Sequence, residues 1–147
     1  MSTMLHKKKW IAAITLTGAA GLLAGCQTMS PMMGGEQVSL SGASEVPAVT
    51  TTASASGHVT VNNCAVSAKI TTSGFAPTAA HIHEGAAGSN GPVIVPFTKT
   101  SDNTFEAAAG AKFTDAQCAS YKAGRTYVNV HSAAHPGGEI RAQLKGS

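Results

Sequence analysis

Acidic side chains are scarce in this chain of 147 residues, with seven Asp and Glu in all. They are scattered rather than paired, which leaves no carboxylate couple for hydrolytic acid–base work. No serine sits in a nucleophile elbow. Basic charge is thin as well, since three of the ten Lys and Arg are Lys7, Lys8 and Lys9. Without that trio, seven basic side chains face seven acidic ones, and no basic patch remains to argue for nucleic acid. The three cysteines, Cys26, Cys64 and Cys118, show no C-x-x-C spacing, so the usual thiolate metal motif is missing. Long apolar runs are missing too. The stretch from Trp10 to Leu23 is short and is interrupted by Thr15, Thr17, Gly18 and Gly21, which argues against a membrane-spanning helix.

What is present at the N-terminus reads as a targeting segment. Lys7 to Lys9 form a positive region, Trp10 to Leu23 an apolar one, and Leu23-Ala24-Gly25-Cys26 closes it with small residues before a cysteine. That tetrapeptide resembles a bacterial lipobox, which implies removal of residues 1–25 and acylation of Cys26. An ordinary secretory signal followed by an unrelated cysteine is the alternative. Residues 26–36, rich in Gly, Pro and Met, read as a flexible tether, and residues 37–147 as one domain. Met29, Met32 and Met33 are either soft Cu(I) ligands or incidental tether residues. Gln27 stands where an aspartate often marks inner-membrane retention in proteobacteria, so the expected location is the bacterial envelope, lipid-anchored to the outer membrane and facing the periplasm. The partners this implies are the membrane, through the anchor, and an unidentified envelope protein.

With Cys26 acylated, Cys64 and Cys118 form an even pair in an exported protein, where a disulfide is the default. Two free thiols or two metal ligands are the alternatives.

From Val38 onward, short alternating segments separated by turn residues give an all-β signature. Strands are expected at Val38–Leu40, His58–Val61, Cys64–Ile70, Ala79–His83, Pro92–Phe97, Phe105–Ala108, Thr126–His131 and Glu139–Leu144. The turn of the first hairpin is placed at Asn62-Asn63. Pro47 rules out a central strand over Glu45–Val49, because it lacks a ladder donor. Pro92–Phe97 is continuously apolar and suits a strand buried on both faces or one at a sandwich edge. A single short helix is expected at Thr114–Lys122, with Thr114 and Gln117 as a capping box and Gly124 as its stop. The fold class is an antiparallel β-sandwich or open Greek-key barrel of seven to nine strands with that one helix.

The chain is organised around residues 80–93, AHIHEGAAGSNGPV. His81 and His83 are two apart on a strand, so they share a face with Cα atoms roughly 7 Å apart. A loop with three glycines and a proline follows, able to take an unusual path. Farther on, Val128 and Val130 share one face of a strand, and Tyr127, Asn129 and His131 share the other. If Ile82 and the two valines point to the core, His81, His83 and His131 all point away from it and converge where the strands are neighbours. Neutral imidazoles suit copper or zinc. His135, in the next turn, is a candidate fourth ligand or a cover for the site, and Asn129 a candidate for orienting a ligand from behind. Glu84 alternates away from the histidines and reads as structural or as a partner of Arg141. The sequence does not place His58. Hydrogen bonding of the same histidines to loop backbone is the non-metal alternative.

His81-Ile82-His83-Glu84-Gly85, Gly88, Asn90-Gly91-Pro92-Val93, Tyr127-Val128-Asn129-Val130-His131 and Pro136-Gly137-Gly138-Glu139-Ile140-Arg141-Ala142-Gln143-Leu144, in that order, resemble the CHRD family, the domain first described in chordin. Glu45-Val46-Pro47 is similar to the motif with which the family's domain opens. Ala142 departs from it, standing where a glycine is usual. The resemblance implies a β-sandwich and spans roughly Gln37 to Lys145. A looser likeness joins the H-x-H strand, followed by Glu and Gly, to copper–zinc superoxide dismutase; the bridging histidine and zinc site of that family have no counterpart here. A copper-handling lipoprotein that binds metal through surface histidines is therefore the first reading. A non-metal interaction module at the cell envelope is second, and a dismutase-like enzyme third. Copper ranks above zinc as the cofactor, and binding above catalysis.

Overall fold

In the computed structural model, residues 35–146 are described. The targeting segment, Cys26, the three tether methionines and His6 lie outside them. Eight strands, β1 (Glu36–Ser41), β2 (Ser54–Asn62), β3 (Ala65–Ser73), β4 (Pro77–Glu84), β5 (Val93–Ser101), β6 (Thr104–Ala107), β7 (Thr126–Ser132) and β8 (Ile140–Gln143), are joined by one α-helix, α1 (Asp115–Lys122). A short 3₁₀ turn over Gly42–Ser44 follows β1. Among these residues no helix is long and apolar enough to cross a membrane.

All pairings are antiparallel, and the strands run around a barrel in the order β1-β2-β3-β6-β5-β4-β7-β8. The sheet was expected to be open or split into two layers. It closes instead, through a pairing of β1 with β8 in which Ser41 meets Arg141. Closure removes the unpaired strand edges that an open sheet would expose.

Alternation decides the interior. In β3 every second residue is buried, and Val66, Ala68 and Ile70 join the core. Val38, Leu40, Val59, Ile82, Val95, Phe105, Val128, Val130, Ile140 and Leu144 complete its centre. Strand β5 departs from expectation: Val95 is buried, but Val93 is 48% exposed. It lies between β4 and β6, and its outer side chains have nothing packed over them. Strand β7 is the opposite case, buried at every position. Its outward side chains are polar, so loops must cover them.

The first hairpin turns at Asn63 and Cys64, one residue later than the alternation suggests, and both have positive φ (49° and 65°). A two-residue turn left-handed at both positions matches the twist of its strands. Cys64 thus sits in the turn, where its sulfur reaches Cys118 of α1 to form a disulfide with Cα atoms 5.5 Å apart. The helix begins with the expected capping box, Gln117 N–H donating to Thr114 Oγ1 (3.2 Å) and Thr114 N–H to Gln117 Oε1 (2.9 Å). It ends at Gly124, whose φ of +68° suits a residue without a Cβ. Phe113 and Tyr121, with ring centroids 6.0 Å apart, seat it against the barrel core. The cross-link spans 54 positions, and a loop that long contributes about 4 kcal/mol in the chain-entropy account. A Cys64→Ala/Cys118→Ala double variant should therefore unfold at a clearly lower denaturant concentration. An unchanged midpoint would show that the helix is held without it.

Candidate metal centre

The outer face of three adjacent strands carries the site. Register sets His81 of β4 opposite Asn129 of β7, His83 opposite Tyr127, and Ala79 opposite His131. On the far side of β7, Tyr127 faces Gln143 and Asn129 faces Arg141 of β8. Because Ile82, Val128, Val130 and Ile140 fill the core, their alternate neighbours all project outward together. The histidines are not at the open surface, however: His83 and His131 are only 8% and 9% exposed. The glycine-rich loop between β4 and β5 and the turn between β7 and β8 fold over them.

Arg141 holds that loop down. It is 1% exposed, and its guanidinium donates to the Ala86 carbonyl (3.3 Å), the Ser89 carbonyl (2.9 Å), Asn90 Oδ1 (3.2 Å) and Gln143 Oε1 (3.2 Å). Gln143 Nε2 donates in turn to the carbonyls of Gly85 and Gly124, each at 2.9 Å. The guanidinium carbon lies 3.4 Å from the centre of the Tyr127 ring. Tyr127 stacks on His83 with ring centroids 4.8 Å apart and planes within 8°. Gly91 donates its N–H to the Tyr127 hydroxyl (3.2 Å). A Cβ on Gly91 would lie 1.6 Å from the Glu84 carbonyl oxygen, so no side chain fits at this crossing.

The covering segments also fix which nitrogen each imidazole turns inward. His83 Nδ1 is 2.9 Å from the Gly91 carbonyl, and His131 Nδ1 is 2.9 Å from the Pro136 carbonyl. A carbonyl only accepts, so both Nδ1 atoms carry the proton and both Nε2 atoms are left as acceptors. His131 Nε2 accepts from His81 Nδ1 at 3.0 Å. His83 Nε2 is buried with no hydrogen-bond partner. One nitrogen from each of the three rings lies within 4.8 Å of the others.

Burial, reinforced by its neighbours His131 and His83, lowers the His81 pKa to about 4. Burial also lowers that of His131, partly offset by the hydrogen bond to Pro136 and helped by His83. The pair is therefore neutral at neutral pH, the form in which imidazole binds metal.

The other candidates fall outside this cluster. His135 acts electrostatically on Glu139, whose carboxyl is pushed up by burial and pulled down further by hydrogen bonds from Ser132 and Thr51 and by His135 itself. His58 is on β2, paired with Gln37 and Lys69. Glu84 accepts from Ser120 Oγ of α1 at 2.5 Å; it ties the helix to β4 and does not meet Arg141. Asn129 is buried beside the histidines, and its Oδ1 has no partner. Sequence reasoning missed the structural use of Tyr127 and Arg141, although Tyr127 shares the alternation that singles out His131. The carbonyls of Gly91 and Pro136 leave no mark in a side-chain pattern.

A family model described as the CHRD domain matches residues 37–144. No curated protein and no solved structure matches the chain.

Proposed function

The chain belongs to the CHRD domain family, and from that footing we propose that its barrel binds one transition-metal ion, copper, through His81 Nδ1, His83 Nε2 and His131 Nε2. The observation that carries this reading is the buried, partnerless Nε2 of His83 beside two further inward imidazole nitrogens. Leaving a buried acceptor unmet is costly, and an ion would meet it. Backbone carbonyls hold the far nitrogens of His83 and His131, as is usual behind metal-bound histidines. An all-imidazole set suits copper, which also stands at the top of the divalent affinity order. Zinc is the weaker competitor.

Titration of the full chain with Cu(II) should saturate at one equivalent and show nitrogen hyperfine structure in its electron paramagnetic resonance spectrum. Absence of that signal would overturn the copper reading and favour a non-metal interaction module. Protons should compete only in acid. With His81 near pKa 4 and His131 also lowered, copper should stay bound below the ordinary imidazole range of about 6.5 and leave as the pH approaches about 4. The metal-free fold follows the same sign. Between about 6.5 and 4 the unfolded chain holds more protons than the folded one, so stability should fall as the pH drops through that window. Thermal unfolding at stepped pH checks this.

We further propose that Cys26 carries the domain as a lipoprotein of the bacterial envelope, at the outer membrane and facing the periplasm. The support is the lipobox-like Leu23-Ala24-Gly25-Cys26. Cys26→Ser should abolish labelled-palmitate incorporation, and label that persists would refute the anchor.

A further inference from the structure

The three imidazoles are held unequally. His83 is 8% exposed, fixed through Nδ1 to the Gly91 carbonyl and clamped face to face on Tyr127. His131 is as deeply buried and fixed through Nδ1 to the Pro136 carbonyl. His81 is half-buried, and its only hydrogen bond among the described residues runs to His131 Nε2. An ion would itself take that nitrogen. Once it does, no hydrogen bond to the rest of the protein positions the His81 ring. Its ring contacts are edge-on, with His83 and His131 alone. Across the strand on the β5 side it faces Pro96, exposed and without an N–H to donate.

We propose that His81 is the exchangeable ligand of the site: the ion enters and leaves on its side, and an imidazole from another molecule can take its place. The proposal rests on the three-imidazole copper reading. Two fixed, buried donors keep the ion in register while the third is swapped. A neutral nitrogen donor of the same kind preserves the ligand set, so the matching partner is a histidine-bearing protein or peptide that delivers or receives copper. In the metal-free state the His81 Nδ1–H covers the His131 lone pair and closes the same entrance.

Chemical rescue in the full chain tests this. His81→Ala and His83→Ala should each lower Cu(II) affinity, by about 100-fold or more. Millimolar imidazole should restore most of the affinity lost by His81→Ala and leave His83→Ala impaired, because its place is buried under Tyr127 and the loop. Rescue of both variants alike, or of neither, would overturn the exchangeable role. A second measurement needs no variant. Copper leaving the loaded wild-type chain for a hexahistidine peptide should do so at a rate proportional to peptide concentration, and a rate independent of the peptide would also overturn it. If the wild-type chain takes up no copper, the underlying reading fails instead, and the two failures are thereby told apart.

Discussion

Replacing His83 by alanine should lower copper affinity by about 100-fold or more while the barrel stays folded. The ring contributes the inward Nε2 that has no other partner, and its removal leaves His81 and His131 as a two-donor site. It also removes the surface on which Tyr127 stacks. The core residues of β4, Ala80 and Ile82, are untouched, so secondary structure should persist. Competition against a chelator of known strength gives the affinity, and circular dichroism gives the fold. Copper held as tightly as by the wild type would remove His83 from the site. His58→Ala serves as the control, since that residue lies on β2, away from the cluster. His135→Ala should also cost little, because the ligand cluster forms without it.

Substituting Arg141 should lower stability and loosen the site together. Arg141→Leu keeps the bulk but strips donors from two loop carbonyls and from the side chains of Asn90 and Gln143. These acceptors sit on exposed or half-buried residues that water can partly satisfy, so a total of about 1–3 kcal/mol is expected. Arg141→Lys should rescue little, since one ammonium cannot replace a planar fork spread over several acceptors. The urea midpoint measures the loss. The same change should weaken copper binding, because Tyr127 loses the guanidinium above it and the loop bearing the Gly91 carbonyl is released. A midpoint like that of the wild type would mean that the loop is held by its other contacts.

The outward convergence of His81, His83 and His131 was legible because a strand has a period of two. Once Ile82, Val128 and Val130 were taken as core, the opposite parity of the histidines followed. The helix was legible for a similarly local reason, since Thr114 and Gln117 bond across one turn. What depends on distant contacts was not legible. Barrel closure turns on Ser41 meeting Arg141, 100 positions along the chain, and neither residue signals it. The burial of His83 and His131 comes from loops that fold back over the sheet, anchored by carbonyls common to every residue type. His135 was read as a fourth ligand or a cover because a turn carries no parity by which to place it. Glu84 was correctly separated from the histidines, yet its partner came from the helix, whose docking site no periodicity reveals. Cys64 shifted from strand to turn because Asn63 and Cys64 both adopt left-handed backbone, a choice that alternation cannot detect.

The pairing of β4 with β7 joins His81 to a histidine 50 residues farther along the chain. A chain made from its N-terminus presents His81 and His83 before His131 has arrived. Two donors on an unstructured segment make a loose chelate that sheds its ion readily. The three-imidazole cluster is therefore complete only once β4 and β7 have paired and the barrel has closed.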